Sequence, residues 1–176
     1  MLPRVLVRRE LPGDVDAVRA VVVAAFAATE HGTAEPVEAP LLDRLRACPA
    51  WLPPLSVVAE VDGTVVGHVV CTRAHVGERA ALGLGPLAVA PDRQREGVGT
   101  ALMHAVLGAA DAMDEPVVVL LGHTDFYPRF GFGPAVELGI DPPVPEWGAH
   151  FQARRLTAYE PGLRGRFRYA EPFDDL

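Results

Sequence analysis

In residues 51–76, "WLPPLSVVAEVDGTVVGHVVCTRAHV", two runs rich in β-branched residues flank Asp62-Gly63. That pair favours a two-residue turn, so the stretch predicts a β-hairpin. Upstream, Val5–Arg9 is short and β-prone. Behind Asp14, a candidate N-cap, the apolar residues Val15, Val18, Val22 and Phe26 recur at helical spacing. "LLDRLRA" reads as a second helix, stopped by Pro49. "LGLGPLAVA" is a strand interrupted by Gly85-Pro86, and a proline inside a strand marks an edge, a bulge or a splayed ladder. From Gly97 onward, Val98, Leu102, Val106, Ala109 and Met113 repeat with helical period. "PVVVLLG" is an apolar run of strand length, as expected of a strand covered on both faces. An aromatic turn, a strand at 135–140, a proline-rich loop and a strand at about 151–159 complete the chain. The order β-α-α-β-β-β-α-β-α-β-β predicts one α/β domain over 1–176 with a mixed central sheet. Residues 135–173 supply its last strands, and the tail "EPFDDL" reads as loose.

Composition narrows the options. The net charge is −7, and all 16 basic residues are arginine. Nucleic acid is disfavoured as a partner, since a phosphate backbone needs a basic footprint. No apolar run is long enough to cross a membrane. Arg4, Arg8, Arg9 and Glu10 leave no room for a signal-peptide core, which predicts a cytoplasmic protein. Cys48 and Cys71 are too few for a metal set or a disulfide framework and read as two buried thiols. No metal site is expected.

The chemistry concentrates in two segments. The first, "PDRQREGVGT" at 91–100, sets a charged loop before two spaced glycines that open a helix. A helix N-terminus offers unpaired N–H groups and a partial positive charge, and glycines there let an anion approach the backbone. The loop alone fits either a simple helix start or a phosphate cradle. Two nucleotide-binding look-alikes are weaker. Gly83-x-Gly85-x-x-Ala88 precedes no helix, and Gly97-x-Gly99 has Leu102 where a dinucleotide fingerprint needs a third glycine.

The second segment, "LLGHTDFYPRFGF" at 120–132, carries Tyr127 four residues ahead of Gly131-Phe132. With both segments in view, the chain resembles the GNAT superfamily of acetyl-CoA-dependent N-acetyltransferases. "QREGVG" is similar to its pyrophosphate-binding motif and "FYPRFGF" to its tyrosine-bearing segment. The likeness is strongest to the YhbS-like branch, through "LGPLAVAP", "GHTDFYPRFGF" and the C-terminal "Y…PGL.G…Y..PF". It runs from about Val5 to Phe173. Two positions depart from that branch: Thr124, where proline is common, and Phe126, where a second tyrosine is common.

The resemblance implies a single GNAT-like domain whose mixed sheet, flanked by helices, has a splayed parallel pair, Leu84–Ala90 and Val117–Gly122. Acetyl-CoA, the co-substrate, would lie between them, held by Leu87, Ala88 and Val89. Its pyrophosphate would rest on Gln94, Arg95, Glu96, Gly97, Val98, Gly99 and Thr100. Arg129 and His123 would assist, the latter by touching CoA or orienting the loop. Tyr127 would give the departing sulfur its proton, general-acid work suited to a phenol. The acceptor would be a primary amine of a small molecule or peptide. The base is not assigned: Glu60, His68, His75 and Glu78 lie on or beside the central hairpin, and Glu30 and His31 lie in the loop between the first helices, which by the resemblance would line the acceptor side. A catalytically silent CoA-binding module is the alternative from another class. A homodimer contact through the C-terminal strands stays open.

Overall fold

The computed structural model describes residues 4–27 and 34–176. Glu30 and His31 therefore lie outside the described residues. The elements run β1 (Val5–Arg9), α1 (Val15–Ala27), α2 (Glu38–Ala47), β2 (Trp51–Val61), β3 (Thr64–Val76), β4 (Arg79–Val89), α3 (Val98–Ala112) and β5 (Val117–Leu121). Four shorter strands follow: β6 (Gly133–Pro134), β7 (Ile140–Asp141), β8 (Phe151–Arg155) and β9 (Gly165–Arg168). The sheet order is β1-β2-β3-β4-β5-β8-β6, with β9 pairing β3 and β7. Antiparallel ladders dominate, and β4 and β5 form a parallel pair.

The β2–β3 hairpin forms as its sequence dictates. Asp62 and Gly63 both take positive φ (49° and 81°), the backbone a tight primed turn requires. On β5, Val118 and Leu120 join the core under α3, while Val117 and Val119 join the core on the opposite face. The strand is thus apolar throughout because both its faces are covered. α3 buries Val98, Leu102, Met103, Val106, Leu107 and Ala110. Its apolar stripe drifts onto Met103 and Leu107, away from Met113, which is 39% exposed.

Several expectations are corrected. The stretch at 135–140 is a 3-10 turn, Ala135–Leu138, ended by Gly139 at φ +71°, and only Ile140 and Asp141 pair as strand. The helix expected after β5 is a four-residue 3-10 turn, Tyr127–Phe130. The last long strand stops at Arg155. Asp14 turns back to accept the Leu11 N–H (2.7 Å) and two guanidinium N–H groups of Arg8 (2.7 and 3.0 Å), so it braces the helix entry from outside. Cys71 is buried but Cys48 only partly so. The tail is docked: Pro172 is buried, Phe173 stacks on Tyr169 at 4.6 Å, and Arg44 on α2 pairs with Asp175 at 2.8 Å.

Beneath α2 lies a buried polar group. Glu10 accepts from Arg46 (2.5 Å) and from the Ser56 hydroxyl, which also meets His68 Nε2 at 2.8 Å. Burial drives His68 toward its neutral form, leaving Arg46 as the local cation. Burial alone would push the Glu10 carboxyl up. Hydrogen bonds from His68 and Ser56, with the nearby positive charge, outweigh it and hold it at about 2. The folded value lies below the ordinary 4.5, so this stabilisation is complete above pH 4.5 and drains away as pH falls toward 2. Glu10→Ala should therefore cost about 3 kcal/mol at pH 7, because Arg46 loses its buried partner, and less at pH 3. Urea melts at the two pH values measure the difference.

Candidate active site

The site is built on the divergence of β4 from β5. Their pairing is confined to Leu82↔Val118 and Gly83↔Val119. Just beyond, β4 bulges against β3: the register steps from Cys71↔Leu84 to Val69↔Leu87, one residue longer on β4, across Gly85-Pro86. The chain here needs a glycine, since Gly85 sits at φ +143°. After the bulge β4 still follows β3, and the Ala90 N–H donates to Val66 at 2.8 Å. Backbone groups alternate sides along a strand, so Leu87 and Val89 turn theirs toward the opening. Gln94 confirms the direction, its amide donating to the Val89 carbonyl at 3.1 Å. Ala88 faces the other way, its side chain packed with α1 and its backbone directed at β3. It spaces Leu87 and Val89 instead of facing the opening itself.

The charged loop ends at the mouth of this opening. Arg95 (φ +63°) and Gly97 (φ +87°) both take left-handed backbone, and Gly97 is the N-cap of α3. Alternating hands in successive residues turn N–H groups to one side, the geometry of an anion nest. A Cβ on Gly97 would meet nothing within 4 Å, so open space lies in front of that backbone. Arg93 pairs loosely with Glu96 at 3.8 Å in this loop. Val98 is buried in the core and offers only its backbone; Thr100 is half-buried on the first turn of α3.

The structure brings the two sequence motifs together. A Cβ on Gly99 would lie 3.7 Å from Phe126 and 3.8 Å from Val89, so the glycine loop, the tyrosine segment and β4 meet at one point. Phe126 stands edge-on to Tyr127 (5.0 Å) and Phe130 (5.2 Å), and the Arg129 guanidinium covers its outer face at 4.8 Å. Tyr127 belongs to the core on the α3 face. Burial pushes its hydroxyl up to about 12, so it stays protonated at neutral pH.

Gly122, which no sequence signal singled out, seats that tyrosine. A Cβ there would fall 2.3 Å from Tyr127 Cε2, so the ring lies flat against the bare backbone beyond β5. Gly122→Ala should displace the ring, lowering both transfer rate and stability, the latter by about 1–3 kcal/mol. Thermal melts and steady-state rates on one preparation test this.

Glu60 is held by Arg8 at 2.9 and 3.0 Å, and His68 belongs to the buried Glu10 group. His75 lies opposite Arg168 of β9, and Glu78 is exposed in the β3–β4 turn. His123 lines a pocket of about 370 Å³ with Leu121, Gly122, Glu146, Trp147 and His150. Among the described residues no group of three or more His, Cys, Asp or Glu side chains is placed to hold a metal ion, and no helix is long and apolar enough to cross a membrane.

A mixed sheet opened between two parallel strands, with a glycine loop at the mouth and a buried tyrosine at its side, defines an acyltransferase of the GNAT type. The chain belongs to the GNAT family of N-acetyltransferases. Residues 54–134 match the acetyltransferase (GNAT) domain model. The chain is 37% identical over 128 residues to the uncharacterised N-acetyltransferase YjhQ of Escherichia coli K12, covering 68% of this chain and 71% of that protein. A GNAT family acetyltransferase of Brucella melitensis, solved in complex with acetyl-CoA, is 32% identical with a TM-score of 0.79, over 97% of this chain and 99% of that one. YhbS of Escherichia coli, solved in complex with CoA, is 28% identical with a TM-score of 0.86, over 99% and 94%.

Proposed function

We propose that this chain, acting as a single unit over 1–176, transfers the acetyl group of acetyl-CoA to a primary amine by direct attack in a ternary complex. The observation that carries the reading is the opened β4 edge, where Leu87 and Val89 turn their backbone groups away from β3 and lead to the glycine loop and to Tyr127. Acetyl-CoA and CoA in the complexes of the two relatives support the choice of co-substrate. In this reading, bound acetyl-CoA supplies an activated thioester.

The protein's own groups do the rest. The N–H groups of residues 95–100 hold the pyrophosphate, with Gln94 fixing the loop to β4 and Arg93 and Arg95 adding charge. Leu87 and Val89 hydrogen-bond the pantetheine and the acetyl carbonyl, and the latter contact strengthens as negative charge develops on that oxygen. Tyr127 gives its proton to the leaving sulfur. Arg129 holds Phe126 in place beside Gly99 and stands at the edge of the same surface.

Calorimetry with acetyl-CoA, CoA, NAD and ATP, followed by a thiol-release assay with an amine library, tests the reading. Selective binding of the CoA species with thiol release is the expected outcome. Binding without release from any amine would favour a CoA-sensing module instead. Preference for NAD or ATP would end both readings.

A further inference from the structure

We propose that the pocket of Leu121, Glu146, Trp147 and His150 is the acceptor site, that it takes a cationic primary amine on an apolar or aromatic body, and that His150 accepts the amine's proton. The proposal rests on the transferase reading above and supplies the base which that reading lacks. Three observations carry it.

The first is continuity with the opening between β4 and β5. Tyr169, just past β9, lies on the face opposite α3. A Cβ on Gly83, the last β4 residue paired with β5, would come within 2.8 Å of its ring. Its hydroxyl lies near the Leu121 backbone. Its ring meets the Trp147 indole edge-on at 6.2 Å. A chain of ring contacts therefore leads from Trp147, in the pocket lining, through Tyr169 to the fork of the strands. Tyr127 stands on the other face, so donor and acceptor would approach the fork from opposite sides.

The second is the chemistry of the lining. Leu121, 44% exposed on a strand otherwise buried, and the partly buried indole of Trp147 offer apolar walls. Glu146 is a carboxylate with no cationic partner among the described ion pairs, and no Arg lines the pocket. An ammonium group near an aromatic face and a carboxylate gains from both. A volume of about 370 Å³ suits a small arylalkylamine.

The third is a fixed tautomer. His150 Nδ1 lies 3.2 Å from the Gly122 carbonyl, which can only accept, so Nδ1 carries the proton. Nε2 is then the ring's basic nitrogen. Gln152 donates to the same carbonyl at 3.1 Å and steadies it. His123 and Glu146 are the other titratable groups lining this pocket.

The reaction balances as follows. The ammonium gives one proton to His150 Nε2, and the freed lone pair forms the C–N bond to the acetyl carbon. The C–S bond breaks, and sulfur leaves with its electron pair and takes the Tyr127 proton. The adduct's surplus N–H proton restores Tyr127 by way of solvent, and His150 releases its own. The products are the acetamide, CoA thiol and one proton.

The test uses phenethylamine, with glutamate as an anionic amine and 2-phenylethanol as an uncharged isostere. Wild type should acetylate phenethylamine in preference to glutamate, and its tryptophan fluorescence should respond to phenethylamine more strongly than to the alcohol. Trp147→Ala and Glu146→Gln should each raise KM for phenethylamine about tenfold. His150→Gln should lower kcat about 10²-fold and move the acidic limb of the pH profile to higher pH, since the ammonium must then lose its proton to solvent. Acetyl-CoA affinity, measured by calorimetry on every variant, should not move. Wild type that fails to bind acetyl-CoA defeats the transferase reading and the site with it. Wild type that binds acetyl-CoA but neither acetylates phenethylamine nor responds in fluorescence overturns the pocket assignment alone. Unchanged kcat and pH profile in His150→Gln overturn its role as base.

Discussion

Tyr127→Phe should lower kcat for acetyl transfer about 10²–10³-fold while the Kd for acetyl-CoA stays within about twofold. The separation of the two effects follows from how the ring is held. Its faces and edges pack against the bare Gly122 backbone, Phe126 and Phe132, and phenylalanine keeps all of that. Burial is what shifts the hydroxyl, so deleting it strands no donor or acceptor in the protein. Only a proton donor is removed. Because the hydroxyl is pushed up to about 12, it remains protonated from pH 6 to 10, and the loss should be the same across that range. Stopped-flow or steady-state rates at three pH values measure it. An unchanged kcat would take Tyr127 out of the mechanism.

Gly97→Val should weaken CoA binding about 10²-fold, and Gly99→Val should weaken it as well. Two costs combine at Gly97. A β-branched residue forced to φ +87° strains the backbone by about 1–2 kcal/mol, and its side chain would occupy the space in front of the N–H groups at the start of α3. At Gly99 the backbone is helical, but a valine would crowd Phe126 and Val89. Acetyl-pantetheine, which lacks the pyrophosphate, separates blocked anion binding from general damage. With that truncated donor the Gly97 variant should retain wild-type kinetics. Normal CoA affinity in both variants would reduce the glycines to helix starters.

Local chemistry made the left half of this fold legible. Asp62-Gly63 carries its own turn preference, β5 betrays its double burial by an unbroken apolar run, and the interruption at Gly85-Pro86 marks a real bulge where the strands part. The glycine loop and the tyrosine segment were legible as motifs, though nothing in their spacing said that Phe126 would meet Gly99. Other features had no local signal. Residues 135–140 alternate like a strand, yet Pro134 and the left-handed Gly139 bracket them into a turn. Gly122 matters only because Tyr127 folds back over it. Trp147 and His150 share the turn before β8 while Tyr169 follows β9, and they gather only once both strands are in place. The loose reading of the tail failed for a similar reason: besides nearby Tyr169, Phe173 packs against Leu41 and Leu45 of α2, far back along the chain.

That docked tail sets a condition on biosynthesis. Both recognisable motifs lie within residues 54–134, which leave the ribosome well before Tyr169 and its clasp. A nascent chain halted after β8 would already carry the glycine loop, Tyr127 and His150. It would still lack the ring that sits on Gly83. The β4–β5 fork would lack that ring until residue 169 had been made, so the stretch just past β9 completes one wall of the fork.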